Sequence, residues 1–405
     1  MNLYDYHLTA MQTENSQCKP KSEKQFIPAV CLQLEANLWS RLPEEMIERI
    51  LLCLPVVSTV QFRSVCTKWK SLFLSDAYWR KRYRMDQDQD QEVKRDAWFF
   101  LCTTGQFSCA FDFEMDRWHK IPNPAIPRTS IIAAAGSILC LGNLVADCKI
   151  LYICNPIKKT LMQLPPTSRV QLIHKATMCL NKDAQSYKIV VAGEENSIMS
   201  ALMNSRVYRL YTEIYDSIAG YWRMAGNPLP HAKFGSDPGV WCNGLFYSIT
   251  EMPYGVVRFD PENGVWTELD AAMPCYISTP SLAESNGRLI MIGRVVNNLN
   301  KATEKILIWE LQNMDSDIIA WTELQQMPHC IYSEFMATVK SYSPLVCSAI
   351  GDWLCIATHL SPRTIAFNLY NNAWKSLPTD PLFPGNRNFR LLGLCYKPAV
   401  SDCHL

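Results

Sequence analysis

The chain has 405 residues, 48% of them hydrophobic, which is enough apolar material for more than one buried core. Its 39 Lys and Arg residues nearly balance its 38 Asp and Glu residues, so its net charge gives no general attraction to nucleic acid or to an anionic membrane. The longest apolar stretch, residues 131–145, is interrupted by Gly and Asn and is too short for a membrane helix. We therefore expect neither nucleic acid nor a membrane as a partner.

The cysteines favour a reducing compartment. The 17 cysteines are odd in number, contain no CxxC pair and have mostly apolar neighbours, as at Cys140 and Cys355. Buried free thiols behave as small hydrophobic side chains, so the chain is predicted to work in the nucleus, the cytoplasm or both. The seven histidines form no HxxxH or HExxH motif. We expect no metal site, no cofactor and no catalytic residue.

Four zones follow one another along the chain. Residues 1–37 are polar and are predicted to form a disordered tail. Residues 38–84 have helical spacing, and residues 85–95 contain an acidic polar run that suits a linker. From residue 96 to residue 400 the pattern changes to short β-like runs separated by turns. The sequence thus predicts a small helical domain followed by a larger all-β domain.

The helical zone has more apolar surface than it can bury. Met46, Ile47, Ile50, Leu51 and Leu54 recur at three- and four-residue steps and give the first helix one apolar face. Three short helices are predicted here, and within fewer than fifty residues they cannot cover such a face alone. An exposed apolar face of this size is typical of a partner site.

The order and spacing of these residues resemble the F-box. The matching residues are Leu42, Pro43, Ile50, Leu51, Leu54, Pro55, Arg63, Val65, Cys66 and Trp69. The resemblance implies docking on a Skp1-like adaptor and, through it, on cullin and RING subunits of a ubiquitin ligase. It implies a Skp1-binding set of Leu42, Pro43, Ile47, Ile50, Leu51, Leu54, Pro55, Val65, Cys66 and Trp69, in which the last three mainly lock the helices together. A generic amphipathic helical hairpin is the alternative.

The β zone contains a repeat. Six segments share an apolar strand, a polar turn and a strand with Trp or Leu, at residues 111–118, 151–161, 207–222, 257–266, 306–321 and 365–374. Successive Trp residues at 222, 266, 321 and 374 lie 44, 55 and 53 residues apart, close to the length of a propeller blade. Six repeats predict six blades, with these Trp side chains packed between blades. Residues 389–394 are predicted to pair with residues 98–100 and so to close the ring.

This half of the chain is similar to the kelch or galactose-oxidase type of β-propeller, as in plant F-box/kelch-repeat proteins. The sequence keeps the Trp positions but contains no adjacent glycines, which kelch repeats typically carry. A β-sandwich is the alternative fold. The resemblance implies that the propeller holds a target protein while the F-box links it to a ubiquitin ligase, so that the chain acts as an SCF-type substrate receptor.

Target recognition is expected on one propeller face. Loops between second and third strands emerge beside the links between blades, and here they include residues 194–205, 231–239, 294–304 and 329–344. Lys233, Arg294 and Arg363 are candidate contacts for an acidic or phosphorylated target segment. Two other functions stay open, a propeller-fold enzyme and an F-box scaffold outside ubiquitination. The sequence does not identify the target.

Overall fold

The structure is a computed structural model of the full chain. It describes residues 41–88, 97–102, 107–124, 126, 129–142, 150–181, 186–195, 210–226, 233–235, 237–296, 304–312, 319–337, 339, 343–358, 361–382 and 391–399, with only the backbone at residues 83, 84 and 86–88. Two compact units make up the described chain, one ending at Arg49 and the other starting at Ile50. The predicted tail, residues 1–37, lies outside the described residues.

Four helices occupy the helical zone: α1 (Glu44–Leu52), α2 (Val56–Phe62), α3 (Thr67–Phe73) and α4 (Asp76–Asp88). The Pro43 carbonyl accepts hydrogen bonds from the first turn of α1, whose two glutamates suit the positive end of the helix dipole. Pro55 precedes α2, where its fixed φ suits a helix start. Cys66 caps α3, because its Sγ accepts from the Trp69 amide at 3.4 Å. Each helix therefore begins at a residue suited to that position.

Aromatic side chains pack where α3 meets α4. The Phe73 and Tyr78 rings pack edge to face with centroids 5.3 Å apart, and both side chains are buried. The Tyr78 hydroxyl donates to the Leu51 carbonyl at 2.6 Å, and the Trp79 indole donates to the Phe73 carbonyl at 2.9 Å. Helix α4 continues to Asp88, so the first residues of the predicted linker 85–95 are helical, and residues 89–95 lie outside the described residues.

The β zone forms six antiparallel sheets arranged as the blades of a propeller, which confirms the predicted fold class. Blade I contains β25 (Leu392–Tyr396), β1 (Trp98–Cys102), β2 (Phe107–Asp112) and β3 (Arg117–Pro122). Blade II contains β4 (Ser130–Ala135), β5 (Ile138–Gly142), β6 (Tyr152–Asn155) and β7 (Thr160–Gln163), and blade III contains β8 (Leu172–Leu180), β9 (Tyr187–Glu194), β10 (Leu210–Asp216) and β11 (Tyr221–Ala225).

Blades IV to VI complete the ring. Blade IV has a divided inner strand, β12 (Lys233–Phe234) and β13 (Val240–Cys242), followed by β14 (Leu245–Glu251), β15 (Gly255–Asp260) and β16 (Val265–Glu268). Blade V contains β17 (Ile277–Ser285), β18 (Arg288–Val295), β19 (Lys305–Gln312) and β20 (Ala320–Gln326). Blade VI contains β21 (Leu345–Ile350), β22 (Trp353–Thr358), β23 (Ile365–Asn368) and β24 (Trp374–Ser376), and α5 (His329–Met336) precedes it.

The last strand closes the ring, as the sequence predicts. Strand β25 pairs antiparallel with β1, and the register places Trp98 opposite Tyr396 and Cys102 opposite Leu392. Blade I is therefore assembled from both ends of the β zone. Both strands are almost wholly buried, so neither leaves a bare edge inside the ring.

One turn is repeated at the end of the third strand of five blades. An Asp or Asn side-chain oxygen there accepts hydrogen bonds from the amides two and three residues later, at Asp112, Asn155, Asp216, Asp260 and Asn368. This turn satisfies backbone amides that no strand can pair. In these five hairpins the blade repeat is therefore encoded locally, at a single side chain.

Tryptophans of the outer strands pack between blades, as predicted. Trp222 lies against the cluster that joins blades II and III, and Trp374 against the cluster that joins blades V and VI. The Trp118 indole donates to the Pro378 carbonyl at 2.7 Å and so ties blade I to the end of blade VI. The indole nitrogen of Trp321 is buried, with no hydrogen-bond partner among the described residues.

These two tryptophans provide a matched test of how the blades are joined. We expect Trp118→Phe to lower the free energy of unfolding by about 1 kcal/mol more than Trp321→Phe, because only Trp118 loses an inter-blade hydrogen bond. Chemical denaturation of both variants and the wild-type chain measures the difference. Equal losses would show that the Trp118–Pro378 hydrogen bond does not contribute to ring closure.

Candidate functional site

The first unit presents apolar side chains at the start of α1. Pro43 is exposed, and Leu42 and Ile47 are half-buried. Met46, one residue before Ile47, is 47% exposed. A soluble protein rarely leaves neighbouring large apolar side chains of one helix in water without a use for them. This part of the predicted docking face is available to a partner.

The second unit begins with two neighbouring residues, one with an exposed side chain and one with a buried side chain. Ile50 is 40% exposed, whereas Leu51 is only 1% exposed. The prediction that Leu51 belongs to the docking face is therefore wrong in this structure, because its side chain is part of the helical interior, where its carbonyl accepts from Tyr78. Leu54 and Pro55 are half-buried at the turn that leads into α2.

The three residues expected to lock the helices together behave differently from one another. Trp69 is half-buried, with its ring 5.9 Å from that of Phe62 and 6.4 Å from that of Phe73. Val65 is 59% exposed and Cys66 is exposed, so neither of these side chains packs between helices as expected. Trp69 supports the helices, and Val65 adds exposed apolar surface.

Strand order brings the long connections to one face of the propeller. In an antiparallel blade, the end of the second strand lies beside the end of the fourth strand and the link to the next blade. We call this end the loop face. Its described parts include Glu251–Gly255, the link 269–277, α5 and residues 361–364. Of the predicted target loops, residues 196–205, 231, 232, 236, 297–303, 338 and 340–342 lie outside the described residues.

Two buried charges fix links on the loop face. The Glu213 carboxylate accepts from the amides of Ser168, Arg169 and Val170 at 2.7–2.8 Å and holds the link between blades II and III. The buried Lys175 ammonium donates to the Gly235 carbonyl at 3.0 Å and lies 3.4 Å from the Asp237 carboxylate. Glu213 thus holds a connection between blades, and Lys175 holds the interruption between β12 and β13 in the inner strand of blade IV.

The three candidate cations all lie on the loop face but are not equally available. Lys233, at the start of β12, and Arg363, between β22 and β23, are exposed. Arg363 forms a 3.1 Å ion pair with Glu334 of α5, and Lys233 lies 4.0 Å from Glu251. Arg294 is 0% exposed, so the expectation that it contacts a target at the surface is wrong in this structure. Its strand ends beneath α5.

Features of the loop face that sequence reasoning missed include a helix and two exposed apolar side chains. Residues 329–344 were expected to form a loop, but His329–Met336 form α5, whose Phe335 is buried in the cluster of blades V and VI. The apolar spacing of Ile331, Tyr332 and Phe335 is the signal that could have revealed it. Met252 and Tyr276 are also largely exposed on this face.

The described cysteines are free thiols, and burial raises the pKa of Cys154, Cys242 and Cys347 to about 12. These thiols therefore stay protonated, as small apolar side chains. Among the described residues, no three His, Cys, Asp or Glu side chains converge in a way that could hold a metal ion. The helices in the described ranges include none with the length and apolar character that crossing a bilayer requires.

Comparison with known proteins agrees with both halves of this architecture. Residues 39–81 match the F-box domain family, and residues 110–339, more than half of the chain, match the KIB1-4 beta-propeller family. The chain is 26% identical to F-box only protein 6 of Arabidopsis thaliana, over 91% of this chain and 76% of that protein.

Two further Arabidopsis thaliana proteins are similar along most of their length. Protein UNUSUAL FLORAL ORGANS is 23% identical over 86% of this chain and 80% of its own. A protein named as an F-box/kelch-repeat protein is 22% identical over 89% of this chain and 90% of its own. The chain thus belongs to the F-box proteins whose second domain is a KIB1-4 β-propeller.

Proposed function

We propose that this chain is the substrate-recognition subunit of an SCF-type E3 ubiquitin ligase. The F-box binds a Skp1-like adaptor and through it cullin and RING subunits, and the propeller binds a target protein. The observation that carries the proposal is the exposed apolar surface of Pro43, Met46 and Ile50 within an F-box. These side chains lose contact with water when an adaptor covers them, which favours binding.

The docking residues divide into contacts and supports. Pro43 and Ile50, with the half-buried Leu42 and Ile47, are proposed to contact the adaptor directly, and the exposed Val65 is proposed as a further contact. Leu54 and Pro55 shape the turn between α1 and α2, while Leu51 and Trp69 hold the helices in place. Aliphatic anchors at the centre of an interface of about 1,600 Å² would give a stable complex.

The proposed mechanism is tethering. A receptor of this kind changes no covalent bond itself and acts by raising the local concentration of its target near a ubiquitin-charged enzyme on the same scaffold. The loop face suits this task, because Glu213 and Lys175 hold two of its connecting segments in place and so reduce the entropy lost on binding. Exposed Lys233 and Arg363 are proposed target contacts.

We further propose that the protein works in the nucleus, the cytoplasm or both, because its buried free thiols suit a reducing compartment. Two other functions would give different results in simple measurements. A propeller-fold enzyme would contain stoichiometric metal or cofactor in the purified protein. A scaffold outside ubiquitination would bind the adaptor but would not co-purify with cullin and RING subunits.

Replacement of both Leu42 and Pro43 by Ala is the first test of docking. We expect the double variant to lose co-purification with the Skp1-like adaptor while the propeller unfolds at the same temperature, because both residues precede α1 and lie outside the second unit. Affinity purification from cells, paired with a thermal melt, measures both properties. Undiminished adaptor binding would contradict the docking assignment.

The neighbours Ile50 and Leu51 separate docking from folding. We expect Ile50→Ala to weaken adaptor binding at least tenfold with little change in the free energy of unfolding, because the side chain is partly in water. Leu51→Ala should instead lower the free energy of unfolding by about 2–5 kcal/mol, because it leaves a cavity in the helical interior. Titration calorimetry and denaturant unfolding test the pair, and the reverse pattern would refute this placement of the two side chains.

The same docking variant identifies what the propeller binds. In a pull-down with Leu42→Ala/Pro43→Ala, we expect ligase subunits to disappear and target proteins to remain. Adding Lys233→Glu and Arg363→Glu should then release an acidic target, because both charges on the loop face are reversed. Targets that stay bound to the charge-reversed chain would rule out these two cations as contacts.

A further inference from the structure

Arg294 is a buried guanidinium whose hydrogen-bonding capacity is mostly unused. Its Nε and Nη1 are buried and have no hydrogen-bond partner within the described part of the chain. Within the described ranges, Nη2 contacts the Ser343 carbonyl at 3.3 Å and Met336 Sδ at 3.9 Å. A guanidinium offers five N–H donors, and leaving buried charged donors unpaired is strongly unfavourable.

A second arginine on the same strand, Arg288, has the carboxylate partner that Arg294 lacks among the described residues. Arg288, at the opposite end of β18, donates from Nε and Nη2 to both carboxylate oxygens of Glu310, at 2.6 and 2.7 Å. This bidentate geometry is the one that carboxylates and phosphates give to arginine. Arg294 has the same donors in a more buried place and lacks such a partner among the described residues.

The carboxylate of Glu304, which lies near Arg294, already has another partner. It accepts a hydrogen bond from the Tyr332 hydroxyl at 3.0 Å. Burial lowers the pKa of the Arg294 guanidinium, and the nearby Tyr332 and Glu304 oppose that shift. A further negative group would therefore stabilise the Arg294 guanidinium, because the nearby carboxylate is already hydrogen-bonded to another residue.

We propose that Arg294 anchors an oxyanion-binding site on the loop face, roofed by α5, which takes a phosphate or carboxylate group. Nε and Nη1 supply the two donors of a fork, and two oxygens of one group accept from it. Nothing in the proposed function requires this site. Its use for an acidic or phosphorylated side chain of a target rests on the proposed function.

Helix α5 controls access to this site. Met336 of α5 covers the guanidinium, so an oxyanion reaches Arg294 only when the helix shifts. The outer side of α5 is held by the Glu334–Arg363 pair, which is exposed and therefore contributes little to stability. Phe335, buried between blades V and VI, keeps the helix attached during such a shift.

Thermal unfolding of the full chain tests the site with inorganic phosphate as the probe, against chloride at equal ionic strength. We expect phosphate in the millimolar range to raise the melting temperature of the wild-type chain. At a phosphate concentration tenfold above the dissociation constant of the site, the expected rise is about 2 °C. A wild-type chain that responds equally to phosphate and chloride overturns the proposal, whatever any variant does.

Two arginine variants on the same strand complete the test. We expect Arg294→Met to melt higher than wild type without phosphate, because it removes an unpaired buried charge, and to lose the phosphate response. Arg288→Met should melt lower, because it breaks a bidentate ion pair, and should keep the response. A lower melting temperature for Arg294→Met, or a retained response, would make Arg294 a structural residue and contradict the proposal.

Two more measurements are needed. The first distinguishes a phosphorylated side chain from a free ion as the ligand, and the second distinguishes failure of this inference from failure of the proposed function. A response to capped phosphoserine as well as to inorganic phosphate supports a side chain as the natural ligand, and a response to inorganic phosphate alone supports a free ion. Adaptor binding is measured on Arg294→Met in parallel. If the wild-type chain binds the adaptor but does not respond to phosphate, this inference fails and the proposed function stands. If the wild-type chain responds to phosphate but does not bind the adaptor, the proposed function fails and the oxyanion site stands.

Discussion

The pairing of β25 with β1 is the constraint on which the propeller depends. It places the last strand of the β zone inside the first blade, with Trp98 opposite Tyr396. No blade can separate from its neighbours without breaking this sheet or an interface between blades. The blades are consequently held in place around the ring, and the links on the loop face start from fixed strand ends.

The same closure separates the two tasks of the chain. The F-box helices precede β1 in sequence and supply no strand to the ring, although Val57 of α2 packs against the cluster that joins blades I and II. A change on the exposed side of α1 can alter partner binding without disturbing blade pairing. In the proposed function, a change on the loop face would alter target choice. Separate binding surfaces of this kind would suit a receptor that keeps one ligase contact while targets differ.

Much of the fold was predictable because its signals are local. The acceptor at Asp260 and the one at Asn368 lie within their own hairpins, so a few residues of sequence suffice to recognise each turn. The six repeated segments then give the number of blades, and the Trp spacing gives their length. Ring closure was predictable for a different reason, since a propeller with an unpaired inner strand would expose a bare edge.

Burial within an element was not predictable to the same degree. Helical spacing assigns Ile50 and Leu51 to one apolar face but does not decide which of the two meets the interior. Arg294 was expected at the surface because a charged residue usually lies there, and its burial depends on α5, which is distant in sequence. In both cases the deciding contact comes from another element. The proposed site at Arg294 depends on the unusual burial of a charged side chain.

Hydrogen–deuterium exchange of the full chain, with and without a purified Skp1-like adaptor, tests the central claim most directly. We expect slower exchange in residues 42–54 when the adaptor is present, with unchanged exchange in the paired strands β25 and β1. Unchanged exchange in residues 42–54, with protection confined to the propeller, would contradict it.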